Sequence, residues 1–146
     1  MGIYAAYGAN LDPARMFEKA PHSPVLGSGW LNGWRLTFGA EDRSWQGALP
    51  TIVEDATAQV FVMLYALTDI DESGLDSAEG FDLGMYQKIK VRVSTLDGDV
   101  TAWIYVVDGY EDGLPQSDTL RAIIDAATLA GAPVDYIQEL GKRPTA

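Results

Sequence analysis

The chain of 146 residues has no cysteine and one histidine. The first absence excludes a disulfide scaffold, a thiolate metal site, a cysteine nucleophile and an iron–sulfur cluster. The second excludes a His-rich metal cage and leaves little room for a Ser-His-Asp triad. Basic residues are also scarce. Ten Lys plus Arg stand against 21 Asp plus Glu, a formal net charge of −11. So acidic a surface repels phosphate backbones and anionic headgroups, so neither nucleic acid nor a membrane is the expected partner. No apolar run approaches the roughly 20 residues of a spanning helix. Met1-Gly2-Ile3-Tyr4 shows neither a basic n-region nor an apolar h-region, which predicts no signal peptide and a cytoplasmic protein. Walker, dinucleotide and Gly-x-Ser-x-Gly motifs are missing, as is an Asp/Asn-rich calcium loop.

What remains is a hydrophobic fraction of 47%, ample for one domain over residues 1–146. Residues 3–7 read as a short strand and 8–11 as a turn. Asp12-Pro13 reads as a helix start, with the helix ending before Pro21. Residues 25–39 read as strand, bend, strand, with Gly27-Ser28-Gly29 at a bend, and 39–50 as a loop. The apolar run 58–67 predicts a strand buried on both faces. Asp69 and Glu72 have capping-box spacing for a short helix that Gly80 would stop; Asp69, Asp71 and Glu72 read as its solvated start. Asp76 and Glu79 would share one face of it.

Alternation over 86–107 predicts a hairpin with Asp97-Gly98 at its tip and Val91 opposite Ile104. That register sets Arg92 against Trp103 and Lys90 against Tyr105 as cation–π pairs. Leu120, Ile123, Ile124 and Ala127 predict a helix over 117–130, capped by Ser117 or Asp118 and stopped by Gly131; a last helix runs from Pro133 to Leu140. The sum is six or seven strands and four short helices. The fold class is α+β: a small, mostly antiparallel β-barrel with peripheral short helices. Trp30, Trp34 and Trp45 are candidates either for the core or for a homodimer interface.

Two segments carry candidate chemistry. Residues 4–11 turn from strand toward helix through small residues, and such a turn exposes backbone N–H groups suited to a carboxylate or oxyanion. Glu79 stands at a helix end beside apolar and aromatic neighbours, a setting for a general base. His22, between prolines, reads as a surface or capping residue.

Tyr-Gly-Ala-Asn-Leu at 7–11 with Arg15-Met16 resembles the Tyr-Gly-Ser-Asn-Leu signature of the γ-glutamylcyclotransferase-like family. Leu75-Asp-x-x-Glu79-Gly80 followed by Gly84-Met85-Tyr86 is similar to that family's catalytic segment. Trp45-Gln46-Gly47 and Pro50-Thr51-Ile52, which lie before it, resemble the family's loop and following strand, and residues 114–140 its C-terminal helices, the whole set in the family's order. The resemblance implies a barrel with a cavity and cofactor-free cleavage of a γ-glutamyl amino acid or amine. The substrate's own α-amine attacks the γ-carbonyl, and 5-oxoproline and the free amine leave. It further implies Glu79 as general acid/base and a glutamyl site at Gly8, Ala9, Asn10 and Leu11, with Tyr7, Tyr86 and Tyr105 as pocket walls or hydroxyl donors; no metal is implied. The family's turn serine is Ala9 here. A non-catalytic small-ligand-binding module on the same barrel is the alternative.

Overall fold

The computed structural model describes residues 2–39, 47–79, 81, 84, 86–107 and 113–145. The loop positions 40–46, including Trp45 and Gln46, and the expected helix stop Gly80 lie outside the described residues, as does Met85.

Two long strands carry the architecture. β2 (Val25–Gly39) and β3 (Leu49–Leu67) pair antiparallel from Gly39↔Leu49 to Val25↔Tyr65. The register slips between Val25 and Gly27 and again between Asn32 and Trp34. The first slip sets one extra residue into β2 and the second sets residues 55–58 of β3 against Gly33 of β2; both bend the ladder without ending it. The stretch expected as strand, bend, strand is therefore one bent strand. Among the described residues the barrel has five strands rather than six or seven. β1 (Gly2–Ala6) takes the other edge of β3, from Gly2↔Leu67 to Ala6↔Met63. β3 is thus paired on both edges, and Val60 to Tyr65 are buried without a break, as the apolar run predicts.

β4 (Gln87–Thr95) and β5 (Gly98–Val106) form the expected hairpin in a different register. Thr95 pairs with Gly98, so Leu96 and Asp97 make the tip, and Val91 faces Ala102 instead of Ile104. The cause is local. Thr95 Oγ1 accepts from the Asp97 N–H at 3.2 Å and donates to the Gly98 carbonyl at 2.6 Å. Gly98 takes φ +111°, a conformation that glycine adopts without strain, where the strand leaves the turn. A slip of two residues keeps side-chain parity, so Ile89, Val91 and Val93 still share a face with Ala102 and Ile104. The cation changes, however. Lys88, not Lys90 or Arg92, lies over the rings, 4.6 Å from the Phe81 centroid and 4.8 Å from that of Trp103.

β4 meets β2 at Trp30↔Ser94, and β5 meets β1 in parallel at Tyr4↔Trp103, closing the barrel in the order β1-β3-β2-β4-β5. Trp30 stacks edge-on against Phe61 and Tyr136, and both it and Trp34 are partly buried against the core.

The helices flank this barrel. In α1 (Pro13–Lys19), Asp12 caps the Ala14 N–H at 3.0 Å with Pro13 in the first turn. In α2 (Asp69–Glu79) the cap is Thr68, whose Oγ1 accepts from the Asp71 N–H; it is not Asp69. Nor is Asp71 solvated. It is 4% exposed and accepts from the His22 N–H and the Ser23 hydroxyl, both at 2.7 Å. α3 (Ser117–Leu129) buries Leu120, Ile123, Ala126 and Ala127; its N-cap position is Gln116, and no side chain caps it. α4 (Val134–Gly141) packs against α3.

Candidate functional site

The site begins where β1 ends. After Ala6 the chain passes through Tyr7 and Gly8 into one turn of 3₁₀-helix, Ala9–Leu11. The Leu11 N–H donates to the Gly8 carbonyl at 3.0 Å and the Asp12 N–H to the Ala9 carbonyl at 3.3 Å. The N–H groups of Ala9 and Asn10 open this turn and have no acceptor among the described residues, the usual state of a helix start. Leu11 departs from expectation. Its side chain is fully buried in the core and its N–H is spent inside the turn.

α1 and α2 bring the charges. Arg15 and Lys19 stand one turn apart on α1, and both line a cavity of about 470 Å³. Its walls include Tyr4, Tyr7, Gly8, Ala9, Asn10, Glu79, Tyr86 and Tyr105, together with Gln116, Asp118, Thr119 and Ile123 of the α3 region. Of the candidate catalytic and glutamyl-site residues expected from the sequence, all but Leu11 therefore meet at one cavity.

Glu79 is the last residue of α2. Its Oε1 accepts from Asn10 Nδ2 at 2.6 Å and lies 3.3 Å from Lys19 Nζ. Lys19 Nζ also donates to Asn10 Oδ1 at 2.8 Å. Asn10 is 4% exposed and further held by Tyr4 OH at 3.2 Å and by the Tyr65 hydroxyl, which donates to the Asn10 carbonyl at 2.7 Å. One turn back on α2, Asp76 accepts from the Tyr105 hydroxyl at 2.6 Å and from Lys88 Nζ at 2.9 Å, while Lys88 also reaches Glu72 at 2.7 Å. Asp76 and Glu79 thus face the barrel together, as their spacing implies.

The tyrosines divide by what their hydroxyls do. Tyr7 donates to the Tyr105 carbonyl and Tyr105 to Asp76, so both protons are committed and both rings act as walls. Tyr86 has no hydrogen-bond partner among the described residues, and Tyr4 only accepts, so these two hydroxyls remain free to donate. Burial pushes the phenols of Tyr4 and Tyr86 up, and the Glu79 carboxylate pushes them further. Burial is likewise the main cause at Tyr7, and at Tyr105 the bond to Asp76 adds to it. All four are neutral at pH 7. Among the described residues no three His, Asp or Glu side chains gather as a metal site, and no helix is long and apolar enough to cross a membrane.

Tyr4 and Lys19 are the residues that sequence reasoning missed. The signal for Lys19 was present: with Arg15 it makes an i, i+4 basic pair beside the candidate turn, in a chain poor in bases. Tyr4 gave none, because a strand tyrosine reads as core.

A family model described as "AIG2-like family" matches residues 59–140. A γ-glutamylcyclotransferase of Bos taurus is 30% identical over 143 residues, covering 94% of this chain and 76% of that protein; one of Homo sapiens is 28% identical over the same shares. A solved γ-glutamyl cyclotransferase structure superposes with a TM-score of 0.88 at 26% identity, covering 99% of this chain and 89% of that one. Shared barrel, shared helices and a match along nearly the whole chain lead to one conclusion: this chain belongs to the AIG2-like family and is a γ-glutamylcyclotransferase-type enzyme.

Proposed function

We propose that the protein cleaves a γ-glutamyl amino acid or γ-glutamylamine to 5-oxoproline and the free amine, with Glu79 as general acid/base. The observation that carries this reading is the convergence on one cavity of the Glu79 carboxylate and the Ala9–Asn10 turn, joined at 2.6 Å through the Asn10 side chain. The names of the bovine and human relatives support the reaction class.

Free α-amines titrate near 8, so at neutral pH the substrate's amine arrives mostly as ammonium and cannot attack. Glu79 takes one proton. The freed nitrogen attacks the γ-carbonyl carbon, forming the ring N–C bond and placing negative charge on the carbonyl oxygen. The N–H groups of Ala9 and Asn10 face that charge, and such preorganised donors are worth most in a water-poor site. Collapse breaks the original amide C–N bond as Glu79 returns that proton to the departing nitrogen; the ring nitrogen sheds its second proton to Glu79, which passes it to the released amine, so the lactam leaves neutral and the amine leaves as ammonium. Atoms balance with no other reactant. Leu11 drops from the donor set because its N–H is already bonded; Tyr4 and Tyr86 join it as neutral hydroxyls. With Ala9 in place of serine, position 9 contributes its backbone only. That alanine also favours the second reading, a binding module on the same barrel without turnover.

The test is release of 5-oxoproline from a panel of γ-glutamyl amino acids and amines, in wild type and in Glu79→Gln. The variant still offers an oxygen to Asn10 and Lys19 but cannot accept the ammonium proton. Its rate should fall by about 10²–10⁴-fold with folding retained. Near-normal rates would remove Glu79 from the mechanism. Binding without 5-oxoproline from the wild type would select the binding module.

A further inference from the structure

The two oxygens of the Glu79 carboxylate are held differently. Asn10 Nδ2 and Lys19 Nζ both approach Oε1, at 2.6 and 3.3 Å, and among the described residues nothing holds Oε2. Lys19 Nζ also donates to Asn10 Oδ1 at 2.8 Å. An ammonium can only donate and a carboxylate can only accept. Asn10 therefore has one permitted orientation between them. Flipping its amide would set NH₂ against Lys19 and oxygen against Glu79, losing both bonds in a residue that is 4% exposed.

We infer that Lys19 is a positioning residue: directly and through Asn10 it pins Oε1, leaving Oε2 as the oxygen that takes and returns the proton. The inference rests on the reading of Glu79 as general base. Lys19 works on the base and not on the substrate, so its loss acts on turnover more than on binding.

The experiment compares wild type, Lys19→Met, Lys19→Arg, Glu79→Gln and the Lys19→Met/Glu79→Gln double variant in the 5-oxoproline assay, each with its Tm measured. Lys19→Met should lower kcat by about 10–100-fold, the scale of a misplaced catalytic group, with KM changed less than about threefold. Lys19→Arg should recover most of the loss, since a guanidinium still donates to both partners. The double variant should be no slower than Glu79→Gln alone, because a residue acting through another adds nothing once that one is gone. Should Lys19→Met fail to fold, Lys19→Gln replaces it with the same expectations. A raised KM with kcat unchanged would overturn the inference and make Lys19 a substrate contact. Turnover lost in Glu79→Gln but intact in Lys19→Met would overturn it alone. No turnover by the wild type would overturn the reading of Glu79, and the inference with it.

Discussion

Asp76 and Glu79 are chemically alike, share a helix face and differ in what they touch. Asp76 is saturated by the Tyr105 hydroxyl and Lys88, whereas Glu79 keeps one oxygen without a partner among the described residues. Asp76→Asn keeps an acceptor for Tyr105 and loses the charge facing Lys88. It should lower kcat/KM less than about tenfold, well short of the loss expected for a general base. The same assay reads both variants, and the comparison removes the trivial effect of one charge in a chain of net −11. At Ala9 the backbone N–H is the group offered to the cavity. Ala9→Ser should therefore change kcat/KM by less than about threefold, roughly 0.6 kcal/mol; a larger gain would show that a hydroxyl at this turn contacts substrate.

At the scale of elements, the position of Glu79 is set by how α2 is tied down. Asp71 holds its first turn to the α1–β2 connection, Asp76 and Glu72 hold its middle to β4 and β5, and Glu79 itself closes onto Asn10 and Lys19. Asp71→Ala would strip acceptors from the His22 N–H and the Ser23 hydroxyl in a buried place. It should destabilise the fold by about 1–3 kcal/mol, measured by urea unfolding. A second prediction concerns the seam between β2 and β4. A Cβ at Gly29 would lie 2.5 Å from Val93 Cγ1 and 2.9 Å from the Ser94 carbonyl oxygen. The valine methyl can turn aside, but the carbonyl belongs to the strand. Gly29→Ala should therefore cost about 1–3 kcal/mol of stability, visible as a lower urea midpoint.

For the molecule as a whole, buried tyrosines dominate the response to alkali. Burial raises the phenols of Tyr4, Tyr7, Tyr65, Tyr86 and Tyr105 above their ordinary value of 10.0, and that of Tyr136 to about 12. The folded state thus keeps protons that the unfolded chain gives up. Stability tied to these groups is whole below pH 10 and falls as pH rises from there toward the folded-state values, by up to about 1.4 kcal/mol per pH unit for each phenol. Unfolding between pH 10 and 12 should coincide with cooperative tyrosine ionisation followed by ultraviolet absorbance. Gradual ionisation of a folded protein near pH 10 would contradict the burial.

Local patterns were enough to determine several things from sequence alone. The apolar run 58–67, buried without a break over 60–65, the Asp12-Pro13 helix start, the two faces of the β4–β5 hairpin and the shared face of Asp76 and Glu79 all depend on neighbours a few residues away, where period and capping rules operate. Ordered motifs likewise indicated the family. Other features needed the tertiary structure because they depend on distant contacts. Bulges kept β2 continuous by pairing it with β3, and Thr95 moved the hairpin by two residues without changing its faces. The burial of Asp71 comes from a loop 48 residues away in sequence at Ser23. Lys19 and Asn10 meet Glu79 across separations of 60 and 69 residues. No local rule reads such distances. Barrel closure sets them, by bringing the end of β1 and the ends of α1 and α2 to the same cavity.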